Sequence, residues 1–423
     1  PWDTRVHSQS KATMHRGFNK PLSTVSFPSN IRTFIFNDTY NVAIEPGDLP
    51  DSITNITFGN EFNQPLKPGS LPRHLESLIF GAQYSCQLEG CLPSSLKTLY
   101  LGQDYKKQVM PGTLPASLTT YLNEGFKREI IPGSLPSSLT HLWLANYNKT
   151  IAPGSFPDSL THLQLGYEFN QTIEAGALPP RLATLEFGRM FNTSLAPGVL
   201  PRSLTKIEYG HNFDCMLSPN MLPANLQSLD LGYYFNQPME VGTLPSTLKS
   251  LRLSNMFDQI LKPKVLPQSI THMDFGYCYS QPLMSADILP RSLTSITYNN
   301  KLLTLIGPDT FKQCRVQRLT LLRIEFQNRT IILPRNDQFK GHVRTLVLDN
   351  YQHYIDRDAK LMQQFKDANI SRLIIKCGGS TLTGILHKLD NIHLLVMDQK
   401  SRVSIITWDK LIQLRHSTFI NSN

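Results

Sequence analysis

The sequence predicts a repeat solenoid, a leucine-rich-repeat-like horseshoe built from coils of about 22 residues. Three observations carry this prediction: a proline recurs at a fixed interval, an L-x-x-L-x-L pattern follows it, and an aromatic residue precedes the next proline. The interval of 21 to 23 residues indicates stacked coils rather than a domain with one core. The recurring prolines are Pro28, Pro50, Pro72, Pro93, Pro115, Pro136, Pro157, Pro179, Pro201, Pro223, Pro245, Pro267 and Pro290.

The segment after each proline predicts a bend followed by a short strand. In one coil, Leu75 lies three positions after Pro72, and Leu78 and Phe80 follow at six and eight positions. Alternation of the last two apolar residues with polar ones is the period of a half-buried strand. We expect these strands to form a parallel β-sheet on the concave face, with a mostly irregular convex side and helices only in the C-terminal coils. A glycine such as Gly81 often follows the strand, where we expect the chain to turn sharply.

The residues before the next proline predict two further stacks. An aromatic residue, such as Phe62 or Tyr84, recurs in every coil and indicates an aromatic spine in the core. The next residue is usually asparagine, and a buried amide needs hydrogen-bond partners that the neighbouring backbone can supply. We therefore predict an asparagine ladder that is interrupted at Lys106 and Lys127. Its members include Asn63, Asn148, Asn170, Asn192 and Asn236.

These motifs carry a resemblance to a known family. The unit F-N-x-P-[IL] followed by L-P-x-S-L-T-x-L-x-L-G resembles the FNIP repeat, a relative of the leucine-rich repeat known from social amoebae and giant viruses. Segments 62–66 and 235–239 are close matches to its signature, and the resemblance covers residues 18 to about 300. Many members carry an N-terminal F-box, which implies a role as substrate receptors of ubiquitin ligases. No F-box is recognisable before Phe18.

We divide the chain into three parts: a polar N-terminal segment or cap (1–17), FNIP-type repeats (18–302), and irregular leucine-rich-type coils with a C-terminal cap (303–423). In the last part a [VI]-x-x-L-x-[LIM] pattern marks four further coils, which begin at Val316, Val343, Ile370 and Ile392. Helical spacing predicts a helix over residues 355–369, and the segment TWDKLIQLRHSTF predicts a capping helix.

Charge and cysteine usage bear on the compartment. Of the net charge of +9, residues 303–423 hold +8, which could attract an acidic partner or simply keep a cap soluble. The six cysteines form no C-x-x-C pair, which favours the reducing cytoplasm. Secretion stays open, because the chain lacks an initial methionine and contains seven N-x-[ST] sequons. Three of these sequons are ladder positions, and a buried amide would not carry a glycan.

The concave face is the candidate binding surface. The outward strand position reads apolar or aromatic in the first half of the repeats and acidic in the second half, and tyrosines follow three residues later. Exposed aromatic residues beside ordered charge are typical of a partner-binding patch. The candidate residues are Tyr100, Trp143, Gln164, Tyr167, Glu186, Glu208, Asp230, Tyr233 and Asp274.

The sequence therefore predicts a non-enzymatic scaffold or adaptor that binds a protein partner through this face. We expect a monomer, and we expect no cofactor, metal, nucleic acid or membrane. Three alternatives remain for the acidic column Glu186, Glu208 and Asp230: it binds or cleaves a glycan, holds calcium, or only solubilises the sheet. His141 and His162 lack the third ligand of a zinc site.

Overall fold

The computed structural model describes residues 10–28, 30–283, 285, 287–299, 314 and 316, and the backbone of six later strands. The chain forms two compact units, residues 1–213 (unit 1) and residues 214–423 (unit 2). Each unit is built from short strands that follow one another at the repeat interval. The single helix among the described residues is a 3-10 turn, Leu22–Thr24.

Unit 1 is a stack of coils that each contribute one strand to a parallel sheet. Each strand pairs with the next one in chain order, and partner residues lie 21 or 22 positions apart, as for Leu78 and Leu99 or Leu163 and Leu185. The strands are β1 (Lys11–Thr13), β2 (Thr33–Ile35), β3 (Asn55–Thr57), β4 (Ser77–Ile79), β5 (Thr98–Leu101), β6 (Thr120–Asn123), β7 (His141–Leu144), β8 (His162–Leu165), β9 (Thr184–Glu186) and β10 (Lys206–Glu208).

Unit 2 begins in the same way and ends differently. Strands β11 to β17 pair in parallel, and the offset between partners rises to 27 residues after β15. The strands are β11 (Ser228–Asp230), β12 (Ser250–Arg252), β13 (His272–Asp274), β14 (Ser295–Asn299), β15 (Arg318–Leu322), β16 (Thr345–Asp349), β17 (Arg372–Lys376), β18 (Thr383–Lys388), β19 (His393–Met397) and β20 (Val403–Thr407). The predicted fold class, a leucine-rich-repeat-like solenoid with a parallel sheet, is confirmed.

The coil predicted at Ile392 is not a solenoid coil. Its strand β19 pairs antiparallel with both β18 and β20, and β18 pairs antiparallel with β17. The connections between these strands are only four to six residues long, whereas a parallel crossover needs about a dozen or more. Short connections therefore force a meander. The helix predicted over residues 355–369 lies outside the described residues, as does the predicted capping helix beyond Thr407, where β20 ends.

The predicted aromatic spine is confirmed. In unit 1, Tyr40, Phe62, Tyr84 and Tyr105 stack with ring centroids 6.0–6.3 Å apart and nearly parallel planes. Phe235, Phe257 and Tyr279 repeat the arrangement in unit 2 at 6.0–6.1 Å. These rings are fully buried, so each coil places one large apolar side chain on the same ring of its neighbour.

The predicted sharp turn holds for the glycine after the strand at Gly232 and Gly276, which have positive φ. Gly81 and Gly188 are instead explained by a close approach of adjacent coils. A Cβ atom added to Gly81 would overlap the carbonyl oxygen of Gly59, and one added to Gly188 would overlap that of Gly166. Neither Gly81 nor Gly188 has a positive φ. In these two coils the backbone of the preceding coil lies so close that a side chain would overlap it, and glycine is the residue that fits.

Candidate functional site

The outward side of the sheet, here called the strand face, carries the side chains on either side of the buried central residue of each strand. In unit 1 the register aligns Tyr100 with Leu122, Leu122 with Trp143, and Trp143 with Gln164. All four side chains are partly or fully exposed. Strands in one sheet lie about 4.8 Å apart, so these residues form a continuous apolar ridge that ends at a polar side chain.

Tyr100 is held in place by a carboxylate from the next coil. Its hydroxyl donates a hydrogen bond to Oε1 of Glu124, which follows strand β6. Burial raises the pKa of Tyr100 above its ordinary value, and this hydrogen bond and the charge of Glu124 add to the shift. The ring therefore presents a fixed, protonated phenol at one end of the ridge.

A pair of histidines flanks Trp143. His141 and His162 stack with ring centroids 4.2 Å apart and planes 7° apart, and each Nδ1 lies 2.9 Å from the hydroxyl of the preceding threonine. Burial lowers the pKa of His141, and the neighbouring His162 adds to the shift. The lowered pKa favours the neutral form of His141. The described residues contain no group of three or more potential metal ligands, so the pair gains no third ligand from them.

The acidic column of unit 1 is neutralised within the chain. Glu186 and Glu208 are in register on β9 and β10, and Lys206 Nζ lies 3.7 Å from Glu186 and 2.6 Å from Glu208. The hydrogen bond to Glu208 raises the pKa of Lys206. Glu186 and Glu208 are therefore not an uncompensated pair of like charges. The sequence signal for Lys206 was its place two positions before Glu208, on the same face of the strand.

In unit 2 an arginine neutralises the carboxylates of the strand face. Asp230 belongs to this unit, and the register places Arg252 between Asp230 and Asp274. The Arg252 guanidinium lies 2.9 Å from Asp230 and 3.8 Å from Asp274. Each carboxylate also accepts the backbone N–H of the glycine two residues later, Gly232 or Gly276, at 2.9 Å. These carboxylates organise the turn after their own strand.

Two of the predicted site residues lie beyond the strand face. Tyr167 is in the turn after β8, is 52% exposed, and stacks against the Arg189 guanidinium of the next coil at 5.6 Å. Tyr233 is in the turn after β11, edge-on to Tyr234 at 4.9 Å. Each lies in a turn of its own unit, and in unit 1 Tyr167 does not extend the ridge of Tyr100 and Trp143.

The ladder runs along the turns that follow the aromatic spine. Oδ1 of each asparagine accepts the backbone N–H of the equivalent residue in the next coil. Asn148 accepts from Asn170 at 3.0 Å, and Asn170 accepts from Asn192 at 2.8 Å. Asn63 accepts from Ser85 at 3.0 Å, and in unit 2 Asn236 accepts from Asp258 at 2.9 Å. The same oxygen often takes a second hydrogen bond from the following side chain, as from Gln171 to Asn148 at 2.9 Å.

The ladder amides are at the surface, and the premise that they are buried is wrong. Asn148, Asn170 and Asn192 are exposed, and Asn63 and Asn236 are half-buried. The aromatic ring before each amide fills the core, so the amide itself caps the turn from outside. Burial therefore gives no reason to discount the sequons at these positions.

Comparison with known proteins places these features in a family. A family model described as FNIP Repeat matches residues 40–83, 85–120, 147–190, 191–234, 213–256 and 257–301, which together span more than half of the chain. No curated protein matches the sequence. Among the described residues, no helix is long and apolar enough to cross a membrane.

Solved structures give the same result for the fold. The crystal structure of CroV588, described as a novel circular leucine-rich-repeat protein, is 33% identical with a TM-score of 0.66. The match covers 77% of this chain and 48% of that one, so this chain spans about half of its length. Toll in the Drosophila Toll–Spatzle complex matches with a TM-score of 0.50 at 13% identity, covering 87% of this chain and 54% of that one. The second likeness shows the fold alone.

Proposed function

This chain belongs to the FNIP repeat family, and we propose that it is a non-enzymatic scaffold that binds a protein partner through the strand face of unit 1. The observation that carries the proposal is the ridge of Tyr100, Leu122 and Trp143. Large apolar side chains stand in register on an outward face, where the fold does not use them as core. Aromatic anchors of this kind supply most of the binding energy at protein interfaces.

The surroundings of the ridge support binding rather than catalysis. The polar end of the ridge is made of Gln164 and the stacked histidines. Farther along the sheet, Glu186 and Glu208 form ion pairs with Lys206. A retaining glycosidase needs two free carboxyl groups about 5 Å apart, and Lys206 occupies the space between Glu186 and Glu208. We therefore set the glycan-cleaving alternative aside. The five described cysteines are free thiols, which supports a reducing compartment as the place of action.

The test compares Tyr100→Ala/Trp143→Ala with the wild-type protein in affinity capture from native lysate. Ile260→Ala is the control, because Ile260 is 65% exposed in unit 2 and away from the strand face. Loss of the two anchors should weaken capture of the specific partner by about thirtyfold or more, since even one anchor contributes about 2 kcal/mol or more. Partners retained by the wild type and Ile260→Ala but lost from the double variant support the proposal.

A melting curve accompanies the capture experiment. Substitutions at exposed sites usually change stability by about 0.5 kcal/mol or less, so the double variant should remain folded. If all three proteins retain the same partners, the ridge is not the binding site. If the double variant unfolds, Trp143→Ala and Leu122→Ala are tested singly, because each removes one part of the ridge and keeps the hydrogen bond between Tyr100 and Glu124.

A further inference from the structure

In three consecutive coils of unit 1, the ladder N–H has no asparagine in the preceding coil to accept its hydrogen bond. These N–H groups belong to Lys106, Lys127 and Asn148, and the residues that precede them in the ladder are Ser85, Lys106 and Lys127. Lysine has no acceptor atom, so Lys106 and Lys127 cannot accept the N–H of the next coil. The first of the three follows Ser85, whose side chain is too short to replace asparagine there.

The consequence is a row of open backbone donors. Within residues 85–170, all of which the structure describes, the N–H groups of Lys106, Lys127 and Asn148 have no hydrogen-bond acceptor. In the flanking coils the same N–H donates at 3.0 Å to an asparagine oxygen, from Ser85 to Asn63 and from Asn170 to Asn148. These ladder bonds lie at the surface of the protein. An oxygen atom of a bound ligand can therefore accept these backbone N–H groups in place of the asparagine Oδ1.

The same coils concentrate positive charge. The ladder position and its successor read Lys106-Lys107, Lys127-Arg128 and then Asn148-Lys149, where other coils read Asn63-Gln64 or Asn170-Gln171. These cationic side chains are exposed. A single groove is lined by Lys106, Gln108, Lys127, Arg128, Glu129 and Lys149.

The acidic residues near the groove do not close it. Lys106 contacts Asp104 at 3.4 Å, and Lys127 contacts Glu168 two coils away at 3.2 Å, with both pairs largely exposed. Exposed pairs of this length contribute little, and both lysines are able to turn toward a stronger anion. Arg128 is held by the carbonyl of Lys106 at 3.4 Å, which fixes its chain along the groove. Lys107 and Lys149 have no ion-pair partner among the described residues.

We propose that this groove, lined by residues 106, 108, 127–129 and 149, together with the open N–H groups of Lys106, Lys127 and Asn148, binds a ligand that carries several phosphate or sulfate ester groups. Each open N–H takes the oxygen of one oxyanion, in the place that an asparagine oxygen fills in other coils, and the lysine and arginine side chains balance its charge. Adjacent coils lie about 4.8 Å apart, so a ligand with oxyanions repeated along its length engages successive coils. The proposal concerns the turns and does not depend on the strand-face proposal.

Isothermal titration at low and at moderate salt tests the proposal with two probes, tripolyphosphate and a sulfated oligosaccharide. Lys106→Ala/Lys127→Ala removes two charges and leaves the N–H groups open. Lys106→Asn/Lys127→Asn removes the same charges and restores the ladder oxygens. Lys20→Ala/Lys249→Ala is the charge-matched control, because both lysines are exposed and far from the groove in sequence.

The wild type should bind at least one probe, more weakly as salt rises, and the control should bind as the wild type does. The alanine variant should lose about tenfold in affinity, as expected for charge-assisted hydrogen bonds. The asparagine variant should lose more and should also melt at a higher temperature than the wild type. Binding of one probe only assigns the groove to phosphate or to sulfate esters.

Two results overturn the proposal. One is that the wild type binds neither probe. The other is that the control loses as much affinity as the groove variants, which would show attraction to the net positive charge of the chain alone. Equal affinity of the alanine and asparagine variants would show that the open N–H groups take no part, and it would remove them from the site.

Discussion

Two tyrosines of the aromatic spine should respond in opposite directions to the same substitution. Tyr84 and Tyr147 are both fully buried, and both stack on the rings of adjacent coils at 6.0–6.3 Å. The hydroxyl of Tyr84 has no hydrogen-bond partner. The hydroxyl of Tyr147 donates to the carbonyl of Thr150 at 3.0 Å. Replacement by phenylalanine removes only the oxygen and keeps the stacked ring.

The magnitudes follow from the state of each hydroxyl. A buried polar group without a partner costs about 1–3 kcal/mol of desolvation, so Tyr84→Phe should stabilise the protein by about 1 kcal/mol or more. A satisfied hydrogen bond contributes about 0.5–1.5 kcal/mol, so Tyr147→Phe should destabilise it by about 1 kcal/mol. The two variants should therefore differ by about 2 kcal/mol. Burial raises the pKa of Tyr147 to about 12, so ionisation of the phenol does not enter at neutral pH.

Urea unfolding followed by circular dichroism measures both free energies. A shift of the midpoint without a change in slope reports stability alone. Phe62 and Phe169 show that phenylalanine occupies this position in neighbouring coils with the same stacking distance, so strain from the ring is not expected. If both variants shift the midpoint in the same direction, the hydroxyl of Tyr84 is not an unsatisfied group and the reasoning fails.

Two further predictions use the ladder and the histidine pair. Asn170→Ala removes an oxygen that accepts two hydrogen bonds and should cost about 1 kcal/mol or more. Lys127→Ala should change stability by only about 0.5 kcal/mol, and equal losses in urea would contradict the ladder. The pKa of His141 is lower in the folded state than its ordinary value of 6.5, so the unfolded chain binds more protons and stability falls as the pH drops through this range. His162→Gln removes one cause of that shift and should make the fall in melting temperature below about pH 6.5 shallower; an unchanged pH profile would count against the stacked pair.

The repeating parts of the fold could be predicted from the sequence, because the repeat interval aligns each residue with the equivalent residue of the adjacent coil. The spine through Phe62 and Tyr84 and the strand at Leu78 follow from that interval alone. Spacing alone predicts a coil near Ile392, whereas the structure has an antiparallel meander from β18 to β20, because spacing takes no account of the length of the connections. Connection length decides between parallel and antiparallel pairing, and it is visible in the sequence.

The candidate site was harder to predict, because its chemistry depends on two positions of the strand at once. Reading only the column that contains Glu186 and Glu208 gives a line of repelling charges. Lys206, in the neighbouring column, lies close enough to bridge both. The open donors at Lys127 and Asn148 were hidden for a similar reason: lysine at the ladder position is visible in the sequence, but the donor that it leaves open lies one coil later.

Neutralisation of the carboxylates bears on how the proposed binding face would select a partner. An uncompensated acidic column would attract a cationic partner from a distance. Lys206 forms ion pairs with Glu186 and Glu208, and Arg252 forms ion pairs with Asp230 and Asp274. These carboxylates therefore link adjacent strands within the chain. Under the proposed function, recognition in unit 1 therefore rests on the apolar ridge at Tyr100, where selection would depend on the shape of the partner more than on its charge. Long-range attraction of an anion is left to the cationic groove, on the turns where the ladder is interrupted.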